Sequence, residues 1–232
     1  MTKKYTQIFF DLDKTIWDFE TNSQQTIAEI YNLLCFDKRN IADFAQFHAV
    51  YETHNLKLWE MYRYNKIAKP DLMVMRFYNT LMEFGINDMP TAQAFSTQYL
   101  ELLPEKTAVF AGTHQTLAYL AGKYQLHIIT NGFEEVQFRK IQNADMRHYF
   151  IHIITSEEAG FKKPDTRIFN YALQLCGASA DQCLMVGDDL EVDVLGAKQA
   201  GMDQVYFNPQ KLAHHETITY EIAELTALCG LI

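Results

Sequence analysis

Two aspartates, Asp11 and Asp13, directly follow an apolar run near the start of the chain. The run, Tyr5–Phe10, is aromatic and β-branched, which is typical of a buried strand. Side chains two residues apart on an extended backbone project to the same side, so the two carboxylates would share one site. Close carboxylates repel each other and are costly to bury, and a bound Mg²⁺ ion would make the pair tolerable. A solvated turn after a strand is the alternative.

Three further polar segments follow apolar runs later in the chain. They are Thr130-Asn131-Gly132, Lys162-Lys163-Pro164 and Gly187-Asp188-Asp189, the last with Asp193 close behind. Each has a plain structural explanation when taken alone: a helix cap, a solvated loop lysine and an acidic helix N-terminus. Each also has a chemical explanation. Hydroxyl and amide groups at a helix N-terminus bind anions, and a lysine neutralises them. The acidic segment could complete a magnesium site with Asp11.

The chain after Thr107 alternates short apolar runs with stretches of helical periodicity. Strands are predicted at 126–130, 150–154, 182–186 and 204–207, and helices at 113–123, 134–143, 166–176 and 192–200. Such alternation predicts a parallel sheet covered by helices on both faces, which the strand before Asp11 would join. The predicted fold class is therefore α/β, with a Rossmann-like doubly wound core.

Residues 19–103 differ from the rest of the chain, since they have helical periodicity throughout and no convincing strand. Helices are predicted at 23–36, 41–64, 71–84 and 91–103, with turns at Lys69-Pro70-Asp71 and Gly85–Asp88. The aromatic residues of this region, such as Trp59, Tyr62 and Phe77, are interpreted as a bundle core, and a substrate pocket is the alternative. The expected domains are an α/β core of 1–18 with 104–232 and an all-helical insert of 19–103.

Ligands bind at the carboxyl ends of the strands in open α/β sheets, and all four polar segments fall at such ends. Together they would supply carboxylates, a hydroxyl, a lysine and an acidic metal site. Phosphoryl transfer needs this combination of nucleophile, phosphate ligands, positive charge and metal. The coincidence of four segments favours the chemical explanation over four separate structural ones.

The four segments, in this order, resemble the motifs of the haloacid dehalogenase (HAD) superfamily of hydrolases. The resemblance covers the whole chain, and residues 19–103 resemble the helical cap of that superfamily. The runs around Thr130-Asn131-Gly132, Ser156–Gly160 and Gly187-Asp188 look most like the bacterial pyrimidine 5′-nucleotidase subgroup, which acts on nucleoside monophosphates.

The resemblance implies a role for each matching residue. Asp11 is the nucleophile that forms an aspartyl-phosphate, and Asp13 is the general acid and base. Thr130 and the Asn131 amide bind phosphoryl oxygens, and Lys163, rather than Lys162, neutralises charge. The implied Mg²⁺ ligands are Asp11, the Asp13 carbonyl and Asp188. Asp189 or Asp193 is a supporting residue that orients a metal-bound water or Lys163.

The presence of Asp13 distinguishes between activities, because superfamily dehalogenases resemble this motif but lack the second aspartate. The expected activity is thus a magnesium-dependent phosphatase for small monoesters, foremost a nucleoside 5′-monophosphate. A sugar-phosphate or phosphoglycolate phosphatase and a phosphomutase use the same core and remain alternatives. A non-catalytic binding protein of the same fold is the alternative outside enzymes.

The composition limits the partners that the protein is expected to bind and the cellular compartment in which it is expected. A formal net charge of -9 argues against nucleic-acid polymers and membrane surfaces as partners. No apolar run approaches the roughly 20 residues that span a bilayer, and residues 1–4 do not begin a signal peptide. The four cysteines form no Cys-x-x-Cys pair and have no histidine at metal-ligand spacing, so free thiols in the cytoplasm are expected.

Overall fold

The computed structural model describes residues 5–39, 41 and 43–232. Contacts divide them into two compact units, one comprising the chain up to Phe19 together with Thr107–Ile232, the other Glu20–Lys106. The residues before Tyr5, on which the expectation about a signal peptide rests, lie outside the described part. So do residues 40 and 42, the latter within the predicted helix 41–64. No helix in the described part is both long and apolar enough to cross a membrane.

The first unit is built on a parallel sheet of six strands in the order β3-β2-β1-β4-β5-β6. The strands are β1 (Gln7–Phe10), β2 (Gln125–Thr130), β3 (Phe150–Thr155), β4 (Cys183–Gly187), β5 (Asp203–Phe207) and β6 (Tyr220–Ile222). β1 and β4 are buried at every position, as expected for parallel strands covered on both faces. The strand order reverses direction between β1 and β4, and such a switch point is where open α/β sheets bind ligands.

Helices connect the strands, and their ends follow local sequence signals. The longer helices of this unit are α5 (Thr113–Ala121), α6 (Glu134–Asn143) and α8 (Thr166–Cys176). Three short ones have four residues each: α7 (Ser156–Ala159), α9 (Gly196–Gln199) and α10 (Leu228–Leu231). Asp165 caps α8 by accepting from the Arg167 N–H, and Gly177 ends it with a φ of 61°. A π-helical segment, Leu190–Leu195, occupies the start of the predicted helix 192–200.

The second unit is all-helical, as predicted. Its helices are α1 (Phe19–Leu33, whose first residue belongs to the first unit), α2 (Phe44–Arg63), α3 (Lys69–Glu83) and α4 (Met89–Leu102). Aromatic side chains fill its centre, where the rings of Phe77 and Phe95 stack with centroids 4.5 Å apart. Of the residues interpreted as bundle core, Phe77 and Tyr62 are buried and Trp59 is partly buried.

The structure confirms the predicted fold class and corrects three details. Lys69-Pro70-Asp71 is not a turn but the first turn of α3, where the missing N–H of proline costs no hydrogen bond. The strand β6 was not predicted, because its three residues are too few to show a pattern. The helix predicted from 91 begins at Met89, since the Asp88 side chain caps it.

Candidate active site

The polar segments predicted from the sequence come together at the carboxyl ends of the central strands. Asp11 directly follows β1, and its backbone N–H still donates to Val186 of β4. Thr130 is the last residue of β2, and Gly187 is the last residue of β4. Lys163 reaches the same region from the loop after α7. The sheet topology therefore positions residues that are up to 182 positions apart in the chain.

Lys163 is the centre of the site. Its Nζ donates to Asp11 Oδ1 and to Asp193 Oδ1, both at 2.6 Å, and the residue is only 1% exposed. The Asn131 side chain fixes its backbone, because Oδ1 accepts from the Lys163 N–H and Nδ2 donates to its carbonyl. This pairing ties the Asn131 side-chain amide to Lys163, so the backbone N–H of Asn131 is the donor that we assign to a phosphoryl oxygen.

Three carboxylates form a group that could hold a cation. The oxygens of Asp11, Asp188 and Asp193 lie within 4.8 Å of one another. Thr15, fully buried, links two of them by donating to Asp188 Oδ1 at 3.1 Å and, more weakly, to Asp11 Oδ2 at 3.4 Å. When ionised, the three carboxylates exceed the single positive charge of Lys163 by two. Oxygen donors with this excess charge fit a divalent ion such as Mg²⁺.

Burial dominates the electrostatics of this group. It raises the pKa of Asp11 to about 7, an effect that Lys163 opposes and Asp193 reinforces. It also raises the pKa of Asp188 well above the ordinary carboxyl range, with Asp11 adding to the rise. Burial alone would lower the pKa of Lys163, but the Asp11 and Asp193 carboxylates bring it above its ordinary value. Lys163 is therefore a permanent cation, whereas the carboxylates are easily protonated when no metal balances them.

The Asp13 side chain lies outside the group of three carboxylates. Its Oδ1 accepts from Lys140 Nζ at 2.7 Å and its Oδ2 from Gln137 Nε2 at 2.8 Å. The expected repulsion between Asp11 and Asp13 is thus offset by two different lysines, Lys163 and Lys140, and not by a shared cation alone. The Asp13 side chain is 27% exposed, against 11% for Asp11, so it remains accessible to a ligand.

The sequence did not distinguish the roles of Asp189 and Asp193, but in the structure they have different partners. Asp193 contacts Lys163, while Asp189 caps the π-helical segment by accepting from the N–H groups of Glu191 and Val192. The Asp193 side chain can pack against residue 187 only because that residue is glycine, since a Cβ there would lie 2.4 Å from the Asp193 Cβ. Asp193 also accepts from the Asp189 N–H through Oδ2 at 3.2 Å, so it joins the hydrogen bonds at the start of this segment, but only Asp193 also contacts Lys163.

This difference predicts unequal effects of two matched substitutions. Asn replaces Asp well as a helix cap, so Asp189→Asn should leave phosphatase turnover within about threefold of wild type. Asp193→Asn removes a charge that holds Lys163, and we expect turnover to fall about 10- to 100-fold, as for other partners that orient a metal-site group. Steady-state kinetics of the two variants checks this, and equal losses would contradict the division of roles.

Sequence reasoning missed three polar residues of this region: Thr15, Gln137 and Lys140. Thr15 lies inside the first motif and has a hydroxyl, but nothing in its spacing pointed to Asp188. Gln137 and Lys140 are three residues apart on α6, hence on one helix face, and both are buried. Polar residues on the buried face of an otherwise apolar pattern were the available signal.

A second grouping of possible metal ligands, His127, His152 and Cys176, was not predicted either, since the three are distant in sequence. The two imidazoles stack in nearly parallel planes, 12° apart with centroids at 5.3 Å, and His127 also stacks on Phe9. Burial lowers the pKa of His127 to about 4, and its Nε2 lies 2.8 Å from Gln7 Oε1. Because the two imidazole planes are parallel, their nitrogen atoms do not point at a common ion. Packing within the sheet explains the stacking of Phe9, His127 and His152. All four cysteines are free thiols.

Comparison with known proteins gives consistent matches across the chain. A family model described as haloacid dehalogenase-like hydrolase matches residues 5–201. The HAD-hydrolase YfnB of Bacillus subtilis is 29% identical, covering 99% of this chain and 96% of that protein. Its crystal structure, described as bound to magnesium, superposes with a TM-score of 0.88 at 28% identity over 99% of both chains.

Two further relatives carry a named activity. The pyrimidine 5′-nucleotidase PynA of Streptococcus pneumoniae is 28% identical over 94% of this chain and 91% of that protein. The pyrimidine 5′-nucleotidase YjjG of Escherichia coli is 31% identical over 91% of this chain and 88% of that protein.

Proposed function

The chain belongs to the haloacid dehalogenase-like hydrolase family, and we propose that it is a magnesium-dependent phosphatase acting through an aspartyl-phosphate. The observation that carries the proposal is the buried contact of Lys163 with Asp11, which is itself one of the three clustered carboxylates. A buried carboxylate becomes an effective nucleophile towards a phosphate only when positive charge screens the approach of the anion. Lys163 and a divalent cation would supply that charge.

The residues of the site account for both halves of a hydrolysis. An Asp11 oxygen bonds to phosphorus while the ester P–O bond breaks, and Asp13 gives its proton to the leaving oxygen. In the second half Asp13 takes a proton from water, whose oxygen displaces Asp11 from phosphorus and releases inorganic phosphate. Thr130 and the Asn131 backbone N–H would donate to phosphoryl oxygens, and Lys163 would neutralise them.

Magnesium fits the donor set, which consists of carboxylate oxygens with excess negative charge. Asp11, the Asp13 carbonyl and Asp188 are the residues that would hold it. Asp193 is set apart because Lys163 and the Asp189 N–H engage both of its oxygens. The ion would neutralise phosphoryl charge and align the phosphate with Asp11. The structure of YfnB, which is described as bound to magnesium, supports magnesium as the metal.

We further propose a nucleoside 5′-monophosphate, foremost a pyrimidine one, as the substrate. The two nucleotidase relatives, each matching more than nine-tenths of this chain, support the choice. The net charge of -9 fits a small metabolite rather than a nucleic-acid polymer. As the resemblance to the helical cap of the superfamily implies, residues 19–103 would select the substrate.

Phosphate release from a panel of nucleoside monophosphates and sugar phosphates, with Mg²⁺ and with chelator, tests both proposals. Magnesium-dependent release that favours pyrimidine monophosphates supports both. Release confined to sugar phosphates or phosphoglycolate keeps the mechanism and replaces the substrate. A protein that interconverts phosphate esters without net release is a mutase, and one that is inert towards every ester is a binding protein.

The raised pKa of Asp11 predicts how the stabilisation of the protein by magnesium depends on pH. A carboxyl whose pKa rises from 3.8 to about 7 on folding binds protons more tightly in the folded state. The stability of the metal-free protein therefore falls as pH increases through that range. Magnesium binds the deprotonated form, so its addition should raise the melting temperature more at pH 8 than at pH 6.

Thermal unfolding with Mg²⁺ and with chelator at both pH values measures this effect. At about 100 times its dissociation constant, the ion should stabilise the protein by roughly 2.7 kcal/mol at the higher pH. Asp188→Asn is the control, since it removes a proposed ligand and should abolish most of the shift. Equal shifts at both pH values would contradict the prediction.

A further inference from the structure

The helix α6 presents two buried polar side chains to Asp13, and the proposed mechanism has so far given them no role. Gln137 is 1% exposed and Lys140 is 2% exposed. They are three residues apart, so they lie on the same face of the helix. Between them they contact both oxygens of the Asp13 carboxylate.

Gln137 links the proposed general acid to the proposed phosphate ligand. Its Nε2 donates to Asp13 Oδ2 at 2.8 Å and to Thr130 Oγ1 at 2.7 Å, which uses both N–H groups of the amide. The reverse orientation would place Oε1 against the carboxylate, where two acceptors repel. The amide therefore has one orientation, and it fixes the distance between two groups that must act on the same phosphate.

The same contact directs the hydroxyl of Thr130. Its Oγ1 accepts from Gln137 Nε2 and from the Gly132 N–H at 3.1 Å. A hydroxyl has two lone pairs and one proton, so two accepted hydrogen bonds leave only the proton for a further partner. Thr130 is thereby prepared to donate, which is what a phosphoryl oxygen requires.

Lys140 holds the other oxygen of Asp13. Its Nζ lies 2.7 Å from Oδ1 and 4.3 Å from the centroid of the Trp17 ring, which is fully buried. An ammonium placed against an aromatic face is attracted by the ring electrons and is partly removed from water. Its hydrogen bond to Asp13 is strengthened by the low local dielectric.

The fold makes room for Gln137 at a cost in stability. A Cβ at Gly132 would lie 2.4 Å from the Gln137 side chain, so the glycine of Thr130-Asn131-Gly132 is needed for this placement. Gln137 Oε1 is buried and has no hydrogen-bond partner among the described residues, which disfavours the folded state. A residue selected for stability alone would be apolar here.

We propose that Gln137 and Lys140 are positioning residues that clamp the Asp13 carboxylate for proton transfer and, through Gln137, orient the Thr130 hydroxyl. The inference rests on the proposed function, since it assigns Asp13 the role of general acid and base. Neither side chain needs to touch the substrate. Their effect is on the steps in which Asp13 gives or takes a proton.

Gln137→Met tests the clamp, because methionine has a similar length and no hydrogen bonds. We expect turnover of an alkyl phosphate, such as a nucleoside monophosphate, to fall about tenfold or more, with KM changed far less. The burst of p-nitrophenolate from p-nitrophenyl phosphate should stay within about threefold of wild type, since this leaving group needs no proton. Thermal stability should change little, because the loss of the two hydrogen bonds of Nε2 is offset by removal of the unsatisfied buried oxygen.

Lys140→Met and Lys140→Arg test the second contact. The methionine variant should show the same dependence on the leaving group, and arginine should restore part of the alkyl phosphate turnover by keeping a donor to Asp13 Oδ1. Gln142→Met is the matched control, because Gln142 lies on the exposed side of the same helix and should behave as wild type in every assay.

Asp13→Asn, measured in the same assays, distinguishes a failure of the proposed clamp from a failure of the proposed function. If Asp13→Asn lowers both activities equally, or lowers neither, Asp13 is not the proton donor and the proposed function fails at that residue. If Asp13→Asn is selective but Gln137→Met and Lys140→Met are not, only the clamp is overturned. A double variant, Asp13→Asn with Gln137→Met, should lose clearly less activity than the product of the two single losses, since only the contact of Gln137 with Thr130 remains to be removed. Fully multiplicative losses would show that Gln137 acts independently of Asp13.

Discussion

Replacing Asp11 by Asn should abolish phosphatase turnover, by roughly 10⁴-fold or more, as loss of a covalent nucleophile does in other enzymes. The substitution conserves shape but leaves an amide nitrogen or an uncharged oxygen facing phosphorus, and neither displaces an alkoxide. Wild type quenched in acid during turnover should carry one extra phosphoryl group by mass spectrometry, and the variant should carry none. Substantial turnover by Asp11→Asn would exclude an aspartyl-phosphate at this position.

The same variant should be a stable protein, which separates a chemical effect from misfolding. Asp11 belongs to a buried group with excess negative charge, so neutralising it relieves repulsion in the metal-free state. Asp165→Asn is the matched control, because Asp165 caps α8 at the surface and asparagine caps equally well. We expect that control to retain full activity and stability.

The sequence predicted most of the sheet and of the candidate site, for a physical reason. Parallel strands covered on both faces must be continuous apolar runs, and their carboxyl ends must meet at one edge. Asp11, Thr130 and Asp188 could therefore be placed together because each follows or ends a predicted strand of the same sheet. Lys163 was chosen over Lys162 through the resemblance, and the structure places its Nζ between two carboxylates.

The parts that could not be predicted depend on side-chain direction rather than on strand order. The π-helical turn that brings Asp193 to Lys163 is set by a widened hydrogen-bond ladder, in which the Val194 N–H also reaches the Asp189 carbonyl. Asp189 and Asp193 look alike in sequence. Lys140 and Gln137 looked like ordinary polar residues of an amphipathic helix, because only a three-dimensional structure shows which residues their face meets.

Lys163→Met is the second substitution with a large expected effect, and it acts first on stability. Removing one partner from a buried ion pair leaves uncompensated charge and costs about 3–5 kcal/mol. Here the loss would leave Asp11 and Asp193 facing each other without the ammonium between them. We expect a fall in the free energy of unfolding of that size at pH 8 with chelator present.

The loss should depend on pH in a defined direction. The wild-type Lys163 stays charged throughout the physiological range, because both carboxylates raise its pKa. Without it, the main influence that opposes burial is lost, and the pKa values of Asp11 and Asp193 rise further. Both groups then protonate more readily on folding, so the deficit of the variant should shrink as pH falls from 8 towards 5.

Urea unfolding of Lys163→Met and of Lys162→Met at several pH values measures this dependence. Lys162 is the neighbouring residue of the same type but does not hold the carboxylates, so its methionine variant should unfold like wild type and keep its activity. Lys163→Met should lose activity even at a pH where it is fully folded, since the charge that screens the incoming phosphate is gone. A deficit that is independent of pH, or shared equally by both lysine variants, would show that Lys163 does not compensate buried carboxylates.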